Sequence, residues 1–319
     1  MKTKEFFCKE KLVEKLLNVF QKLKFPEEVN MLQSMLEKDN VYTSKREIIE
    51  AIKQLNEKGY DVKKIEAKDS IKYGLVRFGH NTSEAYYRIL GNLKLPLLLT
   101  SDWHTSSKGF SKIAIDEMKK DVVKHKIKDI CCMGDLMQGL GVYSIEAMDV
   151  TEQSIDGQED FLIEELKEFP SSVTFHAIMG NHEEKIKGKW MVGHDSYSVI
   201  AKSVNNFKYY GQVAKLMIEN KFSTLMVHGK GGAPYAWTYM IQRIMRNLVE
   251  KPNVLLTGHL HQLGDWLTPP FTQAIACGTL QRESAWLMQA GITAQVGWII
   301  IDDMTETEIK MRYRIPKIF

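Results

Sequence analysis

The chain has 319 residues, 44% of them hydrophobic and 26% charged, a balance that excludes disorder over most of its length and allows a sizeable core with room for two domains. The opening MKTKEFFCKEKLVEK keeps returning to Lys and Glu where a secretory leader needs an unbroken apolar core, and no later apolar run approaches the roughly 18 residues of a membrane span; a cytoplasmic protein without a membrane partner is expected. The net charge of +3 is uneven, because residues 1–95 hold 19 Lys and Arg against 14 Asp and Glu while the remainder holds 24 against 26.

The N-terminal basic excess suits an anionic partner, although Lys and Glu interleave there as they do on a solvated helix face. Leu12, Leu16, Phe20 and Leu23 recur at helical spacing over residues 9–24, and Phe25-Pro26 stops the pattern. A second helix is predicted over 26–37. In TSKREIIEAIKQLNEKG, Ser44 and Glu47 form a capping box, Ile48, Ile52 and Leu55 a buried face, and Gly59 a stop. YDVKKIEA and SIKYGLVRFG follow as a hairpin. Three helices followed by a hairpin resemble a winged helix-turn-helix domain in element order, without signature residues. Residues 1–90 are therefore expected to form a small winged-helix-like domain that contacts nucleic acid or docks a protein partner.

From about Leu93 apolar strands alternate with amphipathic helices. LKLPLLLT, IKDICCMG, SVTFHAIMG, STLMVHG and NVLLTGH are predicted strands, and helices are predicted over 109–126, 153–168 and 235–250. This alternation indicates an α/β domain over 91–319, and TAQVGWIIIDD with EIKMRYRI gives it an antiparallel finish. The cysteines, Cys8, Cys131, Cys132 and Cys277, have no zinc-binding spacing and read as small buried hydrophobes of a reducing compartment.

The predicted strands end on one kind of chemistry. LLLTSDWH ends on Asp102 and His104, CCMGDLMQG on Asp135, AIMGNHE on Asn181 and His182, LMVHGKGG on His228, and LLTGHLHQ on His259 and His261. In open α/β folds ligands bind outside the carboxyl ends of strands, where such side chains can converge. Each has an ordinary alternative, a helix cap for Asp102 or a core histidine at His228. Together they match the imidazole, carboxylate and amide donors of a pair of divalent cations. The Asp-x-His and His-x-His spacings place alternate residues of an extended segment on one side.

The ordered set DWH, GD, GNHE, VHG and GHLH over residues 102–261 resembles the calcineurin-like metallophosphoesterases. The resemblance implies a four-layer α/β/β/α sandwich and a site holding two divalent metal ions, Mn, Zn or Fe. Asp102, His104 and His261 would ligate one ion, Asn181, His228 and His259 the other, and Asp135 would bridge them. His182 would protonate the leaving group, with Glu183 orienting it. Two such ions lower the pKa of a bridging water toward about 7 and neutralise the phosphoryl oxygens, so the nucleophile would be a metal-activated hydroxide.

The ester is less determined. Protein phosphatases of this family carry Asp-Arg after the second motif, whereas GDLMQG has Gln138-Gly139. A phosphodiester of nucleic acid is the favoured substrate. A phosphomonoester of a nucleotide, metabolite or phosphoprotein stays open, as does a non-catalytic scaffold that binds DNA or assembles with protein. Lys185, Lys187, Lys189 and Lys230 could meet a polyanion or simply face solvent. Trp103 and Trp190 could stack on bases or pack in the core. His194-Asp195 could form a rim contact, or Asp195 could cap a helix.

Overall fold

The computed structural model describes residues 9–22, 27–57, 62–67, 70–75, 89–140, 144–190, 193–231, 236, 238–248, 250–269, 271–289 and 291–317. The chain divides into two compact units, Met1–Asn81 and Thr82–Phe319.

In the first unit the helices are Lys9–Lys22, Val29–Lys38 and Lys45–Glu57. The third begins on the expected capping box: the Ser44 N–H donates to Glu47 Oε2 at 2.7 Å, and the Glu47 N–H donates back to Ser44 Oγ at 3.3 Å. Its apolar face, Ile48, Ile52 and Leu55, meets Leu12, Leu16, Phe20, Leu32 and Leu36 in one buried cluster. Strands β2 (Val62–Ala67) and β3 (Ser70–Leu75) pair antiparallel, and the two-residue β1 (Glu27–Glu28) adds to β3. Cys8, Gly59 and residues 76–79 of the predicted hairpin lie outside the described residues.

The second unit is built on two six-stranded mixed sheets. In one, β5 (Leu97–Thr100), β6 (Asp129–Cys132), β7 (Thr174–Ala177) and β8 (Phe207–Tyr209) run parallel. The antiparallel β14 (Trp298–Met304) and β15 (Ile309–Arg314) extend that sheet beside β5, as the predicted finish requires. The other sheet has β10 (Phe222–Val227), β11 (Val254–Thr257) and β13 (Thr272–Cys277) in parallel. Around these lie β9 (Val213–Ile218), β4 (Ile89–Leu93) and the edge strand β12 (Leu263–Thr268). Of these, β4, β8, β9, β12 and β13 were not among the predicted strands. β8 has three residues, and β12 exposes one flank and carries Asp265 in its middle.

Alternate side chains fix the layers, because successive residues of a strand face opposite sides. Leu97, Leu99 and Cys131 face Leu216, Met226, Leu256 and Ile275 between the sheets. Leu98, Ile130 and Phe175 face outward beneath helices Lys112–Lys124, Ile155–Lys167 and Ser196–Ser203. Leu225, Leu255 and Ala274 lie under Ile241 and Met245 of helix Thr238–Asn247. The order helix, sheet, sheet, helix is the expected four-layer arrangement. Burying each such Leu or Ile is worth about 1.5–3 kcal/mol.

Register then positions the strand ends. Thr100 pairs with Cys132 and Cys132 with Ala177, so β5, β6 and β7 stop at one level and release DWH, GD and GNHE side by side. Val227 pairs with Thr257, so His228 and His259 leave the other sheet together.

Candidate metal centre

The seven ligand-type side chains form one cluster in two lobes, buried except at the half-buried Asn181 and His259. Asp102, His104 and His261 make the first: His104 Nε2 and His261 Nε2 face each other at 3.1 Å, and Asp102 Oδ1 is 3.4 Å from His261 Nε2 and 3.8 Å from His104 Nε2. The second gathers Asp135, His228, His259 and Asn181, with His228 Nε2 3.0 Å from Asp135 Oδ2 and 3.1 Å from Asn181 Oδ1, which is 2.7 Å from His259 Nδ1. Asp135 belongs as well to a group with His104 and His182, and so connects the lobes.

These distances test whether a cation fits. Donor atoms sharing one ion at about 2.0–2.2 Å sit about 3–3.6 Å apart, and the separations in the two lobes, 2.7–3.8 Å, centre on that spacing. Two imidazole nitrogens facing each other at 3.1 Å make a poor hydrogen bond but a good pair of ligands. The tautomers agree in the second lobe: His228 Nδ1–H donates to the Met133 carbonyl and His259 Nε2–H to that of Gly231, both at 2.6 Å, turning the remaining nitrogens to the cluster. The residues present fit divalent metal.

The local backbone departs from the extended segments assumed from the spacing. Asp102 (φ 51°), His104 (φ 48°), His259 (φ 72°) and His261 (φ 53°) are left-handed, as is Asp135 (φ 52°). The shared direction of each x-separated pair therefore comes from strained turns and not from a strand. Such conformations cost about 1–3 kcal/mol each and persist where surrounding contacts hold them. At Asp102 the contacts are visible: its carbonyl accepts from Leu280 N and Thr279 Oγ1, and its carboxylate accepts the His259 N–H at 2.9 Å.

Electrostatics favour ionised carboxylates. Burial pushes Asp102 up, but hydrogen bonds with His104 and His261 hold it well below the usual range. Burial acts likewise on Asp135, where the charges of His228 and His182 prevail and lower it. Burial lowers His228, yet the adjoining Asp135 raises it to about 10; burial takes His104 down to about 4.

His182 opens the helix Asn181–Lys185. Its N–H donates to Asp135 Oδ1 at 2.8 Å, its Nδ1–H donates to the Gln138 carbonyl at 2.6 Å, and its Nε2 is 4.0 Å from Asp135 Oδ2. The Glu183 carboxylate accepts the N–H groups of Asp135, Met137 and Gly180 at 2.9–3.1 Å, tying the GD and GN turns together, while the Gln138 carbonyl orients the His182 ring. The Met133, Gln138 and Gly231 carbonyls escape sequence reasoning because a backbone acceptor has no residue type to signal it.

The remaining candidates separate. Trp103 is fully buried, donates to Thr100 Oγ1 and stacks near Phe169, so it is a core residue and no base-stacking platform. Asp195 caps helix Ser196–Ser203 and pairs with Lys187, while His194 binds Glu159. Lys230 pairs with Glu184. The side chains of Lys189 and Trp190 lie outside the described residues. Cys131, Cys132 and Cys277 are buried and unbridged, as expected.

A paired-sheet sandwich with a buried histidine and carboxylate cluster at its strand ends defines the class of metal-dependent phosphoesterases. The calcineurin-like phosphoesterase model matches residues 95–270, more than half of the chain, and the chain belongs to that family. No curated protein matches it. Similar solved structures include an archaeal phosphodiesterase (13% identity, TM-score 0.42, 68% of this chain and 98% of that one). Others are the Escherichia coli phosphoesterase YfcE (17%, 0.39, 69% and 98%) and zinc-complexed Vps29 of Entamoeba histolytica (15%, 0.38, 68% and 90%). Among the described residues no helix is long and apolar enough to cross a membrane.

Proposed function

We propose that the protein is a dinuclear metal-dependent phosphodiesterase acting on nucleic acid. Among the described residues no Arg or Lys is buried, and this observation carries the choice of a diester. A monoester dianion carries a second negative charge that a fixed cation beside the metal ions would offset, and the position after Gln138 is Gly139, whose N–H donates to Gln158 Oε1. A diester, with one negative charge, needs no such clamp.

Asp102, His104 and His261 would hold one ion and Asn181, His228 and His259 the other, with Asp135 shared. Bound divalent ions supply Lewis acidity toward the phosphoryl oxygens and lower the pKa of water. The chain's own proton donor is His182: with Nδ1–H committed to the Gln138 carbonyl, Nε2 faces the cluster and, when protonated, gives its proton to the leaving oxygen. The neutral Asn181 limits negative charge where phosphate must enter. The N-terminal unit, basic and ordered as three helices and a hairpin, serves as a winged-helix-like module that holds the polymer.

The test offers Mn-loaded protein bis-nitrophenyl phosphate, nitrophenyl phosphate, and labelled single- and double-stranded DNA and RNA, with Asp135→Asn as the contamination control. Faster hydrolysis of diester than monoester, with polymer cleavage that declines steeply with salt, is expected. Faster monoester hydrolysis, unaffected by removing the N-terminal unit, would turn the assignment to a phosphomonoesterase.

A further inference from the structure

Beside the Asp102, His104 and His261 lobe a groove of about 880 Å³ opens in the second unit. Backbone hydrogen bonds tie its lining to the cluster. Gln295, which lines it, donates its N–H to the His261 carbonyl at 2.9 Å and accepts the Leu263 N–H on its side chain at 2.6 Å. Arg282 and Gly109, which also line it, are joined by the Arg282 N–H donating to the Gly109 carbonyl at 2.8 Å, two residues after Leu280, whose N–H binds the Asp102 carbonyl. Gly109 permits this closeness, since a Cβ there would lie 2.9 Å from Gln281 Cγ and 3.0 Å from the Arg282 carbonyl oxygen.

The lining mixes apolar and charged side chains. Leu263, Val296, Tyr313 and Ile315 supply the apolar part. Tyr313 is 40% exposed and its hydroxyl donates to Asp265 Oδ1, which fixes the ring; Ile315 is 74% exposed. Lys108, Arg282, Asp149 and Glu283 line it as well, and among the described residues none of these side chains makes a hydrogen bond or ion pair. Two cations and two anions cancel, so the groove does not select a second phosphate. It offers instead an aromatic and aliphatic surface with separate donors and acceptors, the complement of a flat, neutral group with amino, carbonyl and hydroxyl edges. Its volume falls in the range of small-molecule sites, about 300–1,000 Å³.

We infer that this groove is the nucleoside subsite of the enzyme, receiving the base and sugar on one side of the scissile phosphodiester, with the base over Tyr313 and its edges met by Arg282, Lys108, Asp149 and Glu283. The inference rests on the diester reading and deepens it to a substrate class.

Two measurements test it separately from that reading. In the first, Mn-loaded full-length protein hydrolyses thymidine 5′-nitrophenyl phosphate and methyl nitrophenyl phosphate, which share a leaving group and differ in the group the groove would hold. The expected result is a lower KM for the thymidine ester in the unmodified protein. Tyr313→Ala and the surface change Ile315→Asp should raise that KM by about tenfold, the scale of losing one base-stacking contact, while the methyl ester changes less than twofold. Equal effects on both esters, or none, overturn the assignment. In the second, binding of a fluorescent adenosine analogue is measured without added metal. Saturable binding weakened about tenfold by Tyr313→Ala is expected, and no binding overturns the subsite. Binding without diester hydrolysis would remove the phosphodiesterase reading and leave the nucleoside subsite standing.

Discussion

Gly134 and Gly180 lie backbone against backbone: a Cβ on Gly134 would sit 2.4 Å from Gly180 N, and one on Gly180 would sit 2.0 Å from Asp135 Oδ1. This approach brings the GD and GNHE turns into one site, and the Glu183 carboxylate joins them by accepting N–H groups from both. Gly134 also has φ +94°, a conformation other residues rarely adopt. Gly134→Ala or Gly180→Ala should therefore destabilise the protein by about 3 kcal/mol and lower Tm by about 6–12 °C, with metal affinity falling too. Unchanged Tm and affinity would show that the turns do not need this contact.

Asp135 stands in both lobes, near His104 and His182 on one side and His228 and His259 on the other. Asp135→Asn keeps the shape and removes the charge. It should weaken Mn or Zn binding by at least about 100-fold and lower the bound stoichiometry, more than His259→Ala or His261→Ala does alone. Chelator competition measures it; wild-type stoichiometry in the Asn variant would dissociate Asp135 from the bridging role.

The convergence of the candidate residues was legible because metal chemistry restricts residue types and parallel strands place their ends at one level. Asp102, His104, Asp135, Asn181, His228, His259 and His261 declare themselves by type and by following apolar runs. The left-handed turns at Asp102, His104, His259 and His261 were not legible, since non-glycine residues with positive φ have no sequence mark and are held by distant contacts such as Leu280 N to the Asp102 carbonyl. Strands β4, β8, β9, β12 and β13 were missed for a related reason: their place in a sheet comes from neighbours supplied elsewhere in the chain, and Asp265 in β12 or the alanines of β13 weaken any local pattern.

At the start of β6, at the other end of that strand from the site, Asp129 contacts His176 Nε2 at 2.9 Å and accepts the Lys94 N–H at 2.9 Å. Burial pushes its carboxyl up, but these hydrogen bonds outweigh burial and hold it below the ordinary 3.8. The folded state then binds fewer protons than the unfolded state in the acid range. The contribution is complete above the unfolded value and is lost as pH falls through it toward the folded one. Asp129→Asn should lower Tm at pH 6 by several degrees, about 1–2 kcal/mol, and the gap should narrow below about pH 4. A gap constant between pH 6 and pH 3 would exclude this carboxylate from the acid limb.

His182 is held at both ends, its N–H on Asp135 Oδ1 and its Nδ1 on the Gln138 carbonyl, and its ring stands edge-on to His104 with centroids 4.6 Å apart. Because the Gln138 carbonyl can only accept, Nδ1 keeps its hydrogen and Nε2 is the atom that exchanges a proton with substrate. General acid catalysis matters in proportion to the basicity of the leaving oxygen. His182→Ala should lower kcat by about 10²- to 10⁴-fold on a diester with an alkoxide leaving group and much less on a nitrophenyl ester, with metal content unchanged. Equal losses on both esters, or a fall in bound metal matching the fall in rate, would assign His182 to metal binding in place of proton transfer.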